Sequence, residues 1–173
     1  MPDEISPSHI DEEPIKGELP RALAERLAHA KARASERKDA DTIVLAADTV
    51  VACGRRVLPK ADNEAQARAC LGLLSGRRHR VMTAIALARH GDILASRLVE
   101  TRVGFKVLSE AEIDAYIAHG EWAGKAGGYA IQGRAALFVR WIEGSYSNVV
   151  GLPLFETAAL LQGAGFRVLA SHD

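Results

Sequence analysis

The hydrophobic residues of this chain first follow a helical period. Leu23, Leu27, Ala30 and Ala34 recur at intervals of three or four residues, which places them on one face of a helix. Pro20 stands just before this stripe, and proline is favoured in the first turn of a helix because its missing N–H needs no partner there. The pattern therefore predicts a helix that begins at Pro20.

Runs of Val, Ile and Ala farther along the chain predict strands. Thr42 to Cys53 is apolar over much of its length, so we expect a central strand that is covered on both faces. Two long runs then flank the turn residues His90, Gly91 and Asp92, and adjacent long strands favour a mixed sheet over a purely parallel one. The predicted strands are residues 42–53, 80–88, 93–105 and 135–142, with a short final candidate at 166–169.

Capping residues mark the other helices. Asp62 is the predicted N-cap of a helix that starts at Ala65 and ends at Gly76. Ser109 and Glu112 have the spacing of a capping box, in which each side chain accepts from the backbone N–H of the other residue. The remaining predictions are a helix from 109 to about 119, a last helix from 153 to about 163, and loops at 1–19 and 144–151.

The composition favours one globular domain. A chain of 173 residues with 48% hydrophobic content can bury a substantial core, so we predict a single α/β domain over residues 1–173. Its 22 basic and 22 acidic residues balance, which argues against a nucleic-acid-binding protein. A local cluster of cations would still be enough to bind a small anion.

Nothing in the sequence predicts export or membrane insertion. The acidic N-terminus lacks the apolar core of a secretory signal, and no apolar run approaches the roughly 20 residues that a membrane-spanning helix needs. Cys53 and Cys70 lack the spacing of metal ligands, and we interpret them as small apolar side chains in a reducing compartment. We therefore expect a cytoplasmic protein that does not bind a membrane.

Asp48 is the first candidate for chemistry. It lies at the end of an apolar run, where a buried carboxylate is costly unless it has a partner or a metal. A carboxylate can hold a divalent cation or take a proton from water, and a lysine such as Lys60 can neutralise phosphate charge. The alternative is a strand-end aspartate that caps a turn, together with a solvated surface lysine.

Three further segments carry groups that could bind a ligand. The basic residues of segment 75–80 suit either an anion or the end of a helix, where cations complement the helix dipole. Segment 127–133 is either a flexible loop or a site whose glycines let the backbone approach a ligand and whose Gln132 reads a nucleobase edge. Residues 11–13, with Lys31, suggest either additional metal ligands or a solvated acidic arm.

Taken in order, these segments resemble the Maf family of nucleoside triphosphate pyrophosphatases. The resemblance covers almost the whole chain, and five motifs follow one another with the family's order and spacing. These motifs are IDEEP with LPRALAERLAHAKA, then VLAADTVV, LPKADNEAQARACLGLLSGRRHRVMT, GYAIQG and IEGSYSNVVGLPL.

The resemblance implies hydrolysis of a nucleoside triphosphate to the monophosphate and pyrophosphate with a divalent cation, Mg²⁺ or Mn²⁺. It implies a mixed, twisted sheet with flanking helices and two lobes around a cleft, as in inosine triphosphate pyrophosphatases, and a homodimer. Asp48 would be the general base and a metal ligand, and Glu12 would be a second metal ligand. Lys31 and Lys60 would contact the phosphates and stabilise developing charge.

Two residues bear on the nucleobase. The members that act on dTTP and UTP are similar to this chain in having threonine after the catalytic aspartate, here Thr49, and glutamine in an Ile-Gln-Gly loop, here Gln132. The members that act on 7-methyl-GTP differ at both places. The resemblance therefore implies a preference for pyrimidine triphosphates.

The chain departs from the family at its start. Family members begin with a strand and a Ser-x-Ser-Pro-Arg-Arg loop that contacts the triphosphate, whereas Met1 lies after that point and residues 6–9 do not replace the loop. We therefore expect a domain that lacks the first strand and helix and is less stable and less active. Two alternatives to the pyrimidine pyrophosphatase stay open: a nucleotide-binding or cell-division-regulating protein without turnover, and a pyrophosphatase for a modified or purine triphosphate.

Overall fold

One five-stranded sheet organises the chain. The structure is a computed structural model, and it describes residue 5, residues 10–34 and residues 42–168. Predictions for residues 1–4, 6–9 and 169 fall outside the described residues. The helices and strands are α1 Pro20–Ala34, β1 Val44–Cys53, β2 Arg56–Leu58, α2 Glu64–Leu74, β3 Arg78–Arg89, β4 Asp92–Phe105, α3 Glu110–His119, a 3-10 helix Arg134–Phe138, β5 Val139–Glu143, α4 Tyr146–Val150 and α5 Leu154–Gly163.

The described strands have the order β2-β1-β3-β4-β5, and each neighbouring pair is antiparallel. The α/β class with flanking helices is confirmed, but no parallel pair of the kind that a mixed sheet needs occurs among these strands. Tight hairpins enforce this arrangement, since His90 and Gly91 both have positive φ angles, as a two-residue type I′ turn requires. The crossover through α2 joins β2 to β3, which run in the same direction, but β1 lies between them.

Helix α1 covers one face of the sheet. Its side chains Leu23 and Leu27 are buried against a face of β1 and β3 that is rich in alanine, including Ala84 and Ala86. Short side chains let a helix approach a sheet closely, so this face can seat α1 over the middle of the sheet.

The opposite face carries the larger core. Alternate residues of the central strands, such as Val51, Val81 and Val103, point to this side and pack with α2 and α3. Phe105, Tyr129 and His79 meet there in edge-to-face contacts, with ring centroids 5.0 to 5.4 Å apart. The strands that carry the candidate site, β1 and β3, are therefore packed between the two cores.

Most of the predicted elements are present. The helix that begins at Pro20 and the strands around 42–53, 80–88 and 93–105 are confirmed within a few residues. The capping box of Ser109 and Glu112 is present, and Gly120 ends that helix in the left-handed conformation.

Four local predictions were wrong. Asn63 caps α2 in place of Asp62, because the Asn63 side chain accepts from the Gln66 N–H. The first half of the strand predicted at 135–142 is a 3-10 helix, and the loop predicted at 144–151 contains α4, capped by Ser145. Residues 166–168 form no strand.

His79 links the sheet to the larger core through a buried hydrogen bond. Its side chain is 2% exposed, and its Nε2 atom lies 2.8 Å from the Tyr129 hydroxyl. Burial lowers the pKa of His79 to about 4, so the ring is neutral at neutral pH.

We predict that His79 makes the protein less stable in mild acid. Its folded pKa lies below its unfolded value of 6.5, so the unfolded state binds more protons between these values. The contribution is present above pH 6.5 and is lost as the pH falls towards 4, by roughly 3 kcal/mol in the free energy of unfolding. Urea unfolding of the wild type and His79→Gln at several pH values measures it, with the exposed His90→Asn as the control. An equally steep pH dependence in His79→Gln would contradict this assignment.

Candidate active site

Asp48 lies in the middle of β1 and is almost completely buried. It is 4% exposed and pairs across the sheet with Ala84 of β3. Its side chain points to the face covered by α1, where Lys31, in the last turn of that helix, forms an ion pair with it. Burial of this carboxylate is thus accompanied by a charged partner, Lys31.

Two more charged residues, Glu12 and Lys60, extend this ion pair into a row of four charges. The Lys31 ammonium also lies 2.7 Å from Glu12 Oε1, and the other oxygen of Glu12 contacts Lys60. Four residues from four different segments thus alternate in sign in the order Asp48, Lys31, Glu12 and Lys60. We call these residues the charge cluster.

The environment acts differently on each member of the charge cluster. Burial raises the pKa of Asp48, and the hydrogen bond from Lys31 offsets only part of that rise. Burial alone would lower the pKa of Lys31, but its contacts with Asp48 and Glu12 raise it above the ordinary value. Burial also opposes ionisation of Glu12, yet Lys31 and Lys60 lower its pKa. Asp48 is therefore more basic than an ordinary aspartate, whereas Glu12 is less basic than an ordinary glutamate.

Thr49 points to the opposite face of β1 from Asp48, because successive strand residues alternate. Its hydroxyl lies 2.9 Å from that of Thr83 on β3. Among the described strands, β2 pairs with β1 only from Val51 to Cys53, so the outer edge of β1 beside Thr49 has no partner strand. Asp48 and Thr49 are thus neighbours on the side of β1 that lacks a partner among the described strands.

The glycine-rich segment is joined to the segment of Lys60. Lys60 forms an isolated bridge with Ala126, and the Gly127 N–H donates to the Pro59 carbonyl at 3.0 Å. Gly127 has φ +69°, and a Cβ atom there would lie 2.9 Å from Val51, so only glycine fits. Gln132 follows in this segment with an exposed side chain, and none of the hydrogen bonds or ion pairs described joins it to the charge cluster.

Segment 75–80 runs from the end of α2 into the start of β3. Gly76 ends α2 with φ +69°, which supports the helix-end interpretation of this segment. Arg80 donates to the Gly54 carbonyl at 2.6 Å and lies 3.7 Å from Glu100. A cavity of about 310 Å³ also opens at this end of the sheet, lined by Gly54, Arg78, His79, Arg80 and Arg102.

The donor set suits a metal only in part. Within the described residues, no group of three or more His, Cys, Asp or Glu side chains is arranged to hold a metal ion. Asp48 and Glu12 are two carboxylates with Lys31 between them. Mg²⁺ is often held by one or two carboxylates together with substrate phosphates, and this donor set fits a cation that arrives with its phosphates.

Comparison with known proteins places the chain in a family. The family described as "Maf-like protein" matches residues 1–164. The chain belongs to the Maf family. A Maf relative from Paramagnetospirillum magneticum (strain ATCC 700264 / AMB-1), named dTTP/UTP pyrophosphatase, is 62% identical over 166 residues, which are 96% of this chain and 87% of the relative.

Two more Maf relatives carry the same name. The protein from Maricaulis maris (strain MCS10) is 62% identical over 98% of this chain and 81% of its own length. The protein from Rhodospirillum rubrum is 60% identical over 96% of this chain and 80% of its own length. Both are named dTTP/UTP pyrophosphatase, as the resemblance in sequence predicted for the family.

Sequence reasoning missed a group of buried polar residues beside the candidate site of this Maf protein. Thr83, Thr101 and Asn148 are completely buried polar residues, linked by hydrogen bonds that connect α4 to β3 and β4, and Thr83 joins this group to Thr49. A threonine such as Thr83 inside the apolar run of β3 is a signal, because a buried hydroxyl needs a partner. The identity of that partner depends on α4, which was predicted to be a loop.

No helix within the described ranges combines the length and the apolar composition required of a membrane span.

We predict that Lys31 and Asp48 contribute unequally to stability. Lys31→Met leaves a buried carboxylate without its main partner, so the free energy of unfolding at pH 7 should fall by about 3 kcal/mol. Adding Asp48→Asn removes the unpaired charge and should recover most of this loss. Urea unfolding of the single and double variants measures both effects, and Arg33→Met, in the same helical turn, is the control. A double variant as unstable as Lys31→Met would mean that Lys31 acts through packing.

Proposed function

We propose that this chain hydrolyses dTTP and UTP to the nucleoside monophosphate and pyrophosphate, with Asp48 as the general base. One observation carries the proposal: a buried carboxylate with a raised pKa lies in a cluster that also offers two ammonium groups. Relatives at about 60% identity are named dTTP/UTP pyrophosphatase, which supports the substrate class.

The chemistry begins with a water molecule beside Asp48. The carboxylate takes a proton from this water, and the water oxygen forms a bond with the α-phosphorus. The bond from that phosphorus to the bridging oxygen breaks, and pyrophosphate leaves with the bonding electrons. A buried carboxylate with a raised pKa is a stronger base than a solvated one, while Lys31 keeps enough of it ionised.

The two lysines have different parts in this proposal. Lys31 is held between Asp48 and Glu12, so it orients the base and faces the reacting phosphate. Lys60 is about half exposed and contacts Glu12 alone in the charge cluster, so it can swing to the outer phosphates. Positive charge on both sides of the phosphate chain stabilises the charge that develops on the leaving group.

A divalent cation, Mg²⁺ or Mn²⁺, completes the proposed site. Asp48 and Glu12 would hold it together with substrate phosphates, since their oxygens are the donors that these hard cations prefer. When bound, the cation would neutralise phosphate charge and make the phosphorus more open to attack.

Thr49 and Gln132 are proposed to face the nucleobase. Thr49 lies at the edge of β1 that has no partner among the described strands, next to Asp48 along the chain. Gln132 has an exposed amide that can donate and accept, and its segment is bonded to the segment of Lys60. Both residue types suit the imide edge of thymine or uracil, which alternates acceptor, donor and acceptor.

Two broader features belong to the same proposal. Cys53 and Cys70 form no disulfide, which suits a reducing compartment such as the cytoplasm. A homodimer is inferred from the family resemblance. Size-exclusion chromatography with light scattering measures the oligomeric state directly.

We predict that Asp48→Asn releases pyrophosphate from dTTP at least about 100 times more slowly than the wild type, because general-base catalysis contributes a factor of about 10² to 10⁴. Pyrophosphate is measured by a coupled assay with Mg²⁺ or Mn²⁺. The control is Asp62→Asn, which neutralises an exposed aspartate. Release of single phosphates by the wild type would show that the reaction class is wrong, and full activity of Asp48→Asn would remove Asp48 from the mechanism.

We predict that Lys60→Met weakens use of the triphosphate without unfolding the protein. Lys60 is exposed, so its loss should leave the melting temperature nearly unchanged. Loss of one charge-assisted contact should lower kcat/KM for dTTP roughly 10- to 100-fold. Lys125→Met, an exposed lysine in the segment that pairs with Lys60, is the matched control. If the two changes lower kcat/KM equally, Lys60 acts only through the general surface charge and not through a contact with the phosphates.

A further inference from the structure

Thr49 and Thr83 form a pair of hydroxyls across the sheet. They are register partners on β1 and β3, and their Oγ1 atoms are 2.9 Å apart. Thr83 is completely buried, whereas Thr49 is only partly buried. The Thr49 hydroxyl is therefore the member of the pair that a ligand can reach.

A third group fixes the direction of this hydrogen bond. Thr83 Oγ1 lies 2.9 Å from the backbone carbonyl of Asn148, and a carbonyl can only accept. The single hydroxyl hydrogen of Thr83 is thus committed to Asn148. Because it cannot be donated twice, Thr83 must accept from the hydroxyl of Thr49. The hydrogen of Thr49 consequently points inwards, and only its lone pairs remain for a ligand.

The Asn148 carbonyl is held firmly enough to impose this direction. The Asn148 side chain is completely buried and donates to the Val81 carbonyl at 3.1 Å and to Thr101 Oγ1 at 3.0 Å. The backbone carbonyl of Asn148, which accepts from Thr83, also accepts from the Gly151 N–H at 3.1 Å. Gly151 itself lies next to the pair, since a Cβ atom there would be 3.6 Å from Thr49 Oγ1, and its φ of +124° favours glycine at this position.

We propose that Thr83, oriented by the Asn148 carbonyl, is a positioning residue that makes Thr49 an obligatory hydrogen-bond acceptor and so selects bases with an N3–H donor. This inference rests on the proposed function, in which Thr49 faces the base.

Uracil and cytosine differ at N3, and a hydroxyl that can only accept distinguishes the two bases at that atom. Uracil and thymine carry a donor at N3, whereas cytosine carries a lone pair at N3. A hydroxyl that can only accept bonds to the N3–H of uracil but faces the lone pair of cytosine. A hydroxyl that is free to rotate can bond to either base, because it can also donate.

The test compares kcat/KM for UTP and CTP, which share ribose and triphosphate. The wild type is expected to prefer UTP. Thr83→Val keeps the shape of the side chain but frees the Thr49 hydroxyl, and the Asn148 carbonyl keeps its bond from Gly151. The UTP-to-CTP ratio should fall roughly 3- to 10-fold, the factor expected for one neutral hydrogen bond. Thr83→Ser retains the hydroxyl and should restore the ratio.

Two further variants separate positioning from general stabilisation. Thr101→Val removes an equally buried hydroxyl that also anchors α4 but does not touch Thr49, so it should leave the ratio unchanged in the folded enzyme. In a Thr49→Val background, Thr83→Val should cause no further change in the ratio. Circular dichroism and thermal melting confirm that each variant is folded.

The outcomes are distinct. If the wild type hydrolyses neither UTP nor dTTP, the proposed function fails. If it hydrolyses UTP and CTP equally, or if Thr83→Val keeps the ratio, only the positioning role fails. A similar change in Thr101→Val would assign the effect to the placement of α4 and would also overturn the proposal.

Discussion

The burial of the Asp48 carboxylate is the constraint on which the rest of the site depends. A charge in the middle of a strand under a helix is stable only when a cation reaches it, and Lys31 must therefore stand in the last turn of α1. That geometry requires α1 to lie close over β1 and β3. The small side chains of Ala84 and Ala86 make this close approach compatible with a packed core. The basicity of Asp48 and the packing of the sheet are thus consequences of the same arrangement.

The residues proposed to bind the phosphates and those proposed to read the base lie on opposite faces of one strand, β1. Asp48 and Thr49 are neighbours along β1, and the alternation of a strand sends one side chain towards α1 and the other towards α4. Charges therefore gather on one face and neutral hydroxyls on the other. In the proposed function, a nucleotide bound here would have its phosphates on the side of the charge cluster and its base on the side of Thr49. A shift of one residue in the register with β3 would exchange these two environments.

The local parts of this design could be predicted from the sequence, and the long-range parts could not. The stripe of Leu23 and Leu27 gave helix α1, and Asp48 in an apolar run indicated a buried charge, because both signals are local. The pairing of Thr49 with Thr83 depends on the register of β1 against β3, which no local pattern sets. The contact between Thr83 and the Asn148 carbonyl spans 65 positions, and five residues are too few for α4 to show a helical period.

The charge cluster has a consequence for binding. Its two lysines and two carboxylates cancel, so the cluster carries no net charge when all four residues are ionised. A nucleoside triphosphate brings several negative charges, and Glu12 and Asp48 would repel it unless something intervenes. In the proposed complex, Asp48 and Glu12 would hold a divalent cation that enters with the phosphates, and this cation would neutralise the repulsion while Lys31 and Lys60 face the phosphates. In this proposal, the ion pairs of the free protein hold the Lys31 and Lys60 ammonium groups close to the place that the phosphates would occupy.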